Sequence, residues 1–482
     1  MLRLVLTALL GTLMLSAAAS AAPGAPVVKP RLVVLTDIEN EPDDTQSLVR
    51  LLLYANDIEL RGLVATTSVH MRQGVHPESI RRIIERDGQV LPRLREHDPT
   101  YPDAAQLLAR VAPGQPGYGL QAIGDGRHSP GAELLLRELE RPDPRPLWVS
   151  VWGGANTLAQ ALHSLQRTRP KEAVDAAVSR LRVYAISDQD DSGAWLRREF
   201  PGLFYIVSPG SYANPTWSAI HREIEGIDNQ HVSNAWIARH IQQGHGPLGA
   251  AYPDVAYGME GDSPSFLGLI PNGLNVPEHP NWGGWGGRYE LYTPRREDTD
   301  PDGFTGGVPV EAETRPIWTN AVDRYRPYVA AAYGRPVKPG EREFNNAAAT
   351  LWRWREAIQN DFAARMLWTT RPPAGANHAP VVRLAHAAEL QVRSGDWVTL
   401  DAGPTTDPDG DSLSFLWFAY PEAGTLKTPP SLGTENLARV GLRLPDVEAA
   451  VTAHVIVQVT DKGTPALTRY QRVILHIEPQ AR

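Results

Sequence analysis

Asp37, Glu39, Glu41, Asp43 and Asp44 put five carboxylates within eight residues, and no basic side chain lies between Arg31 and Arg50. Two unit charges ~4 Å apart interact by roughly 4 kcal/mol at the effective dielectric near a protein surface, so this crowding has to be relieved by water, backbone donors or a cation. A helix N-terminus contributes only about 0.3–1 kcal/mol per carboxylate. Ca²⁺, which collects about six to eight oxygen ligands, suits such a cluster, and Mg²⁺ suits it less well. A solvated acidic helix cap without an ion is the alternative that the residues leave open.

The neighbouring elements decide where the cluster must sit. Arg31-Leu-Val-Val-Leu-Thr36 reads as an apolar strand, and Pro42 suits the first position of a helix whose first turn then holds Asp43 and Asp44. Leu48, Leu51, Leu52 and Ala55 recur at helical spacing and give that helix one apolar face. In open α/β sheets ligands bind in the crevice beyond the carboxyl ends of the strands, which is where Asp37 projects.

At 482 residues the chain exceeds what one core usually supports, so two or three domains are expected. Its net charge of -8 and pI near 6.0 give no basic footprint for nucleic acid. Arg3, the apolar stretch from Leu4 to Leu15 and the small residues Ala19-Ser20-Ala21 have the order of an export signal over residues 1–21. No later segment has the length of apolar sequence that spans a membrane, so the expectation is a soluble, secreted or periplasmic protein. With no cysteine, its stability rests on core burial and bound ions rather than disulfides.

From residue 30 to 370 strands and helices alternate. The strands read as 58–67, 147–152, 181–187 and 203–207, with helices beginning near His76, Ala155 and Ala347. The pattern argues for an α/β domain built on a mostly parallel wound sheet with helices on both faces. Residues 245–340 are rich in Gly, Pro and aromatic residues, residues 371–380 read as a linker, and residues 381–482 alternate in short runs separated by turns. That last texture predicts an all-β, immunoglobulin-like sandwich.

Thr36-Asp37 followed by Asp43-Asp44, a second strand ending Ala65-Thr-Thr67, and the Gly154-Ala-Asn-Thr-Leu158 turn resemble the nucleoside hydrolase superfamily. Glu39-Asn-Glu-Pro-Asp-Asp-Thr-Gln-Ser-Leu48, Glu260-Gly-Asp-Ser-Pro-Ser-Phe-Leu267, Trp282-Gly-Gly-Trp-Gly-Gly287 and Asn360-Asp-Phe-Ala-Ala-Arg-Met366 resemble more closely its exported relatives described as cellulose-binding. The resemblance implies that Asp37 binds Ca²⁺ and acts as general base on a water. It implies that Asp43 holds sugar hydroxyls, with Asn156 and His70 beside the substrate, and that Asp44 and Asp262 complete the ion's carboxylates together with a carbonyl near Trp152 or Gly153. Two departures stand out. The Glu39-Asn40-Glu41 loop is two residues longer than the family spacing and brings extra carboxylates, and Gly261 stands where a leaving-group histidine is common.

Other signals are weaker. Asp188, Asp190 and Asp191 follow a strand and read equally as site residues or as a solvated turn. Asp298-Thr-Asp-Pro-Asp-Gly303 starts like a calcium loop but meets Pro309 where a bidentate Glu is needed. Asp407-Pro-Asp-Gly-Asp411 reads as a tight turn. Trp282 and Trp285 form either a sugar-stacking platform or core packing. Two functional readings follow. One is metal-assisted hydrolysis of an N-glycosyl or related glycosyl bond in a sugar-containing small molecule. The other is non-catalytic binding of cellulose or another plant polysaccharide on a hydrolase scaffold. The sequence carries no signal for an oligomeric state.

Overall fold

The computed structural model describes residues 28–210, 215–299, 308–329 and 338–480. The export-signal reading at residues 1–21 and the 300–303 half of the candidate calcium loop lie outside them. Strands β1 (Arg31–Thr36), β2 (Glu59–Ala65), β3 (Val111–Pro113), β4 (Leu147–Val151), β5 (Leu181–Ala185), β6 (Phe204–Val207), β7 (Tyr289–Tyr292) and β8 (Ile317–Asn320) form one sheet in the order β3-β2-β1-β4-β5-β6-β8-β7. All neighbours run parallel except β7, which lies antiparallel on β8 at the edge.

Every residue of β1 is buried. Its side chains alternate between two cores: Leu32 and Val34 face one, Val33 and Leu35 the other, as the period of two in a strand requires. The first core takes the apolar stripe of helix α1 (Pro42–Leu52) and those of Pro77–His97 and Arg355–Trp368; the second takes Pro130–Glu140, Asn156–Thr168 and Lys171–Arg180. Burial on both faces is why the central strands are apolar throughout. The chain winds outward from β1 through β2 to β3, then returns to place β4 on the other side of β1. The strand order therefore reverses between β1 and β4, and the crevice at their carboxyl ends is open.

The structure adds β3, β7 and β8 to the strands read from sequence. β3 has three residues, too few to show alternation, and β7 and β8 lie in the glycine-rich region where no periodicity accumulates. The C-terminal region is a sandwich. A four-stranded sheet of Glu389–Arg393, Thr468–Glu478, Val451–Thr460 and Ser414–Ala419 faces a three-stranded sheet of Trp397–Asp401, Arg439–Arg443 and Ser431–Leu432. Trp417, Val455 and Val457 fill the space between the sheets. Their strand neighbours Phe418 and Ile456, with Tyr470, point the other way into the first core of the α/β body.

The sandwich thus shares a core with the body. Tyr420 Oη donates to Asp323 Oδ2 at 2.6 Å and Arg469 Nη1 to Asp361 Oδ1 at 2.6 Å across the junction. Within residues 371–380 the buried Asn377 donates its Nδ2 to Asp461 Oδ1 at 3.1 Å, and His378 Nε2 lies 2.9 Å from His97 Nδ1. Asp407 Oδ1 accepts from the amides of Asp409 and Asp411 at 2.9 and 3.0 Å, which makes that acidic run a tight turn. Among the described residues no helix is long and apolar enough to cross a membrane. The shared core predicts one calorimetric unfolding transition for body and sandwich. Ile456→Ala should destabilise that single transition by about 2–5 kcal/mol; two separate transitions, with one unaffected by the substitution, would contradict the shared core.

Candidate functional site

The loop between β1 and α1 delivers the carboxylates to the crevice. Thr36 Oγ1 accepts from the Ile38 amide at 3.1 Å and donates to Asp44 Oδ1, which ties the strand exit to the first helical turn. Asp37 O accepts from the Asn40 amide at 3.0 Å, and Glu39 takes a left-handed φ of 83°. Only glycine lets β4 pass under this loop, since a Cβ at Gly153 would lie 2.7 Å from Asp37 Oδ1. The extra loop residues divide their work. Glu39 turns outward to Ser79 and to Arg82 Nη2 at 2.9 Å, and Glu41 lines the crevice.

Asp262 arrives from the other side through a buried ion pair. Arg50, on α1, binds Glu260, and both are fully buried. Arg50 Nη2 donates to Glu260 Oε1 at 3.1 Å, while Tyr252 Oη and Ser263 Oγ donate to the same carboxylate at 2.7 Å each. Removing one partner of such a pair costs on the order of 3–5 kcal/mol, because a charge is left buried alone. Glu260 also has a left-handed φ, 52°. Among the described residues these are the two non-glycine positions with positive φ, and each lies in a loop that presents an aspartate. Such strain clusters at functional sites.

One carboxylate oxygen each from Asp43, Asp44 and Asp262 lies within 4.8 Å of the others. Asp37 and Asp262 are each 1% exposed, and the Oδ2 atom of each has no hydrogen-bond partner. Burial pushes Asp37 up to about 7 and Asp43 to about 8, and raises Asp44 and Asp262 well above the carboxylate range; the negative charge of neighbouring carboxylates adds to the rise in all four. Unpartnered buried oxygens are rare because each forfeits its hydration. An all-oxygen set of carboxylates without His or Cys fits a hard divalent cation.

The cluster forms the floor of a cavity of about 520 Å³ at the β1/β4 reversal. That is the size of a small-molecule site. His70, exposed, stands at its rim, and Trp152, Trp217, His221, Arg222 and Tyr257 wall it. Of the residues anticipated from sequence, Asp37, Asp43, Asp44, Asp262 and His70 therefore meet in one place. Asn156 lies outside the lining, its amide donating to Thr67 Oγ1 at 3.1 Å and Gly117 O at 2.7 Å. The Trp152 carbonyl accepts from Gln189 Nε2.

The tryptophan platform does not form. Trp285 is 0% exposed and belongs to the core, and Trp282 stacks face to face on His279 at 4.0 Å with the His454 ring at 4.8 Å. The acidic turn after β5 is likewise structural. Asp188 Oδ2 pairs with Arg197 Nη2 at 2.7 Å, Asp190 accepts from the amides of Asn156 and Ser192, and Asp191 from that of Leu120.

Trp217 and His221 went unnoticed in the sequence. A Cβ at Gly261 would meet Asp43 Oδ2 at 3.0 Å and Trp217 Cζ3 at 3.2 Å, so the indole fills the space a larger residue at 261 would need. His221 Nδ1 lies 3.2 Å from the Met259 carbonyl, which only accepts; the ring proton is therefore on Nδ1, and Nε2 carries a lone pair. Burial holds this imidazole down at about 4, so it is neutral at pH 7. The available signal was a Trp and a His four residues apart shortly after a core strand.

Residues 31–289 match the family model described as cellulose-binding Sde182, nucleoside hydrolase-like domain, and residues 397–477 match the cellulose-binding protein Sde0182 C-terminal domain. A solved structure from Saccharophagus degradans, described as a nucleoside hydrolase-related hypothetical protein associated with carbohydrate metabolism, superposes with a TM-score of 0.76 at 32% identity, over 94% of this chain and 100% of the other. The effector proteins XOO4466 and XopQ, the latter complexed with adenosine diphosphate ribose, align over 61% of this chain and 88% of each of theirs. Their identities are 15% and 14% and both TM-scores are 0.28, too loose to bear on this site. Among curated proteins none matches the chain.

The raised carboxylates fix the sign of a pH dependence. Unfolded, they lose their protons near 3.8; folded without a cation, Asp37 and Asp43 keep theirs to about 7 and 8. The native state then binds more protons than the unfolded one, so stability falls as pH rises through this window. In a chelator the melting temperature should drop between pH 6.5 and 8.5, and saturating Ca²⁺ should flatten that drop. A melting temperature that stays level or rises with pH in the chelator would contradict the cluster's electrostatics.

Proposed function

The chain belongs to the family of cellulose-binding Sde182 proteins with a nucleoside hydrolase-like domain, and on that premise we propose that it is an exported hydrolase that cleaves an N-glycosyl or related glycosyl bond in the acidic cavity. The observation that carries this reading is the pair of buried, unpartnered oxygens on Asp37 and Asp262, set beside Asp43 and Asp44 on the cavity floor. Asp43, Asp44 and Asp262, whose oxygens lie within 4.8 Å of one another, would hold a divalent cation with Asp37 beside it, Ca²⁺ in preference to Mg²⁺. When bound, the ion neutralises the cluster and supplies Lewis-acid polarisation of oxygen ligands.

The chain's own groups account for the rest. Asp37, whose Oδ2 has no hydrogen-bond partner in the protein, takes a proton from the attacking water. Asp43, in the first turn of α1, accepts hydrogen bonds from sugar hydroxyls. Glu41 and the remaining carboxylates face the positive charge that develops on the sugar as the bond to the leaving group lengthens. Trp217 supplies a flat wall and His221 Nε2 an acceptor, which together suit a sugar ring or a planar leaving group bearing an N–H or O–H.

Among the described residues His221 does not replace the histidine absent at Gly261, because its one proton is committed to Met259 O. Leaving groups that depart without protonation are therefore the favoured substrates. The second reading, polysaccharide binding without turnover, is favoured by the packing of Trp217 on Gly261 and by the binding named in the family description.

A panel of nucleosides and nitrophenyl glycosides separates the two. Hydrolysis is expected with Ca²⁺ present, faster for nitrophenyl than for nucleoside leaving groups. Asp37→Ala should lower it by about 10²–10⁴-fold, the usual contribution of a general base, with the fold retained. A wild-type protein loaded with Ca²⁺ that releases nothing from any member of the panel would leave the binding reading alone.

A further inference from the structure

Away from the acidic cavity, two more cavities open where the α/β body meets the sandwich, of about 500 and 460 Å³. Tyr325, Tyr328, Arg353 and Phe418 line both, so the two are adjoining chambers of one cleft. One wall comes from the body, with Trp352 and Trp354 behind Tyr325; the other comes from the sandwich, with Leu416, Phe418 and Gln458. Domain junctions are where ligand clefts preferentially form.

The chemistry of the lining narrows the occupant. Five basic and five acidic side chains line the two chambers together, so their formal charges balance. Arg324 and Arg326 share Glu343 at 2.7 and 2.9 Å, and Arg353 Nη1 meets Asp323 Oδ2 at 3.1 Å. An ionic ligand would have to break these pairs, so a neutral ligand fits better. Arg353 lies over the Tyr325 ring at 4.2 Å, which leaves half-buried Tyr328 as the aromatic face that suits the apolar face of a sugar ring, while Gln458, Thr460 and Asn360 offer hydrogen bonds to its hydroxyls.

We propose that this junction cleft is a glycan-binding site that takes a neutral β-linked glucan chain, separate from the acidic cavity and responsible for attachment to polysaccharide. The assignment rests on the carbohydrate-binding part of the reading above and places it where the Trp282 and Trp285 run does not.

The test uses the full chain in two assays, retention on insoluble cellulose and calorimetric titration with cellohexaose. Tyr328→Ala should weaken both by at least about tenfold, the usual effect of truncating an aromatic anchor. Gln458→Ala, at a half-buried polar position, should weaken them by a smaller factor, and Trp282→Ala should leave them unchanged. Wild-type binding that persists undiminished in both cleft variants would overturn the site while leaving carbohydrate binding in place. Absence of wild-type binding to either probe would overturn both. Retention competed by polygalacturonate but not by cellohexaose would overturn the choice of a neutral glycan.

Discussion

Negative charge crowded and buried at one place is the constraint around which this molecule is organised. Asp37, Asp43, Asp44 and Asp262 converge where β1 and β4 lie side by side, and the basic residues that flank the acidic run, Arg31 and Arg50, are spent on Glu138 and Glu260. At an effective dielectric near 20, each pair of such charges a few ångströms apart repels by roughly 4 kcal/mol. A marginally stable domain holds such an arrangement only if protons or a cation relieve it.

The surrounding structure keeps the cluster from relaxing apart. Thr36 anchors Asp44 to the strand exit, the Arg50–Glu260 pair locks the Asp262 loop to α1, and Gly153 lets β4 approach Asp37. Left-handed residues in both loops, Glu39 and Glu260, show that the backbone accepts strain to aim the carboxylates. The sandwich contributes from a distance. By sharing a core with the face that carries α1, it turns two domains into one packed unit and creates a second cleft at the seam.

Much of this was legible in the sequence, and what was missed has physical reasons. β1 and α1 declare themselves through an uninterrupted apolar run, a proline at the first helical position and leucines at helical spacing, so Asp37, Asp43 and Asp44 could be placed at a strand exit from local pattern alone. Asp262 required the family resemblance, because nothing local says that a short Gly-Asp-Ser-Pro turn far along the chain returns to the first strand. Trp217 and His221 lie in a single 3₁₀ turn and its flank, too short for any periodicity. Trp282 and Trp285 stay ambiguous in the sequence for the opposite reason. A glycine-rich aromatic run looks exposed, yet here the glycines let backbones approach, with Gly286 against Gly268, and the indoles fill the domain junction.

The most direct test of the central claim is anomalous diffraction from crystals grown with Ca²⁺. The account predicts one strong peak about 2.3–2.6 Å from carboxylate oxygens of Asp43, Asp44 and Asp262, beside Asp37. A cluster that stays free of metal at saturating Ca²⁺, with its carboxylates sharing protons or joined by the Arg222 guanidinium, would contradict it.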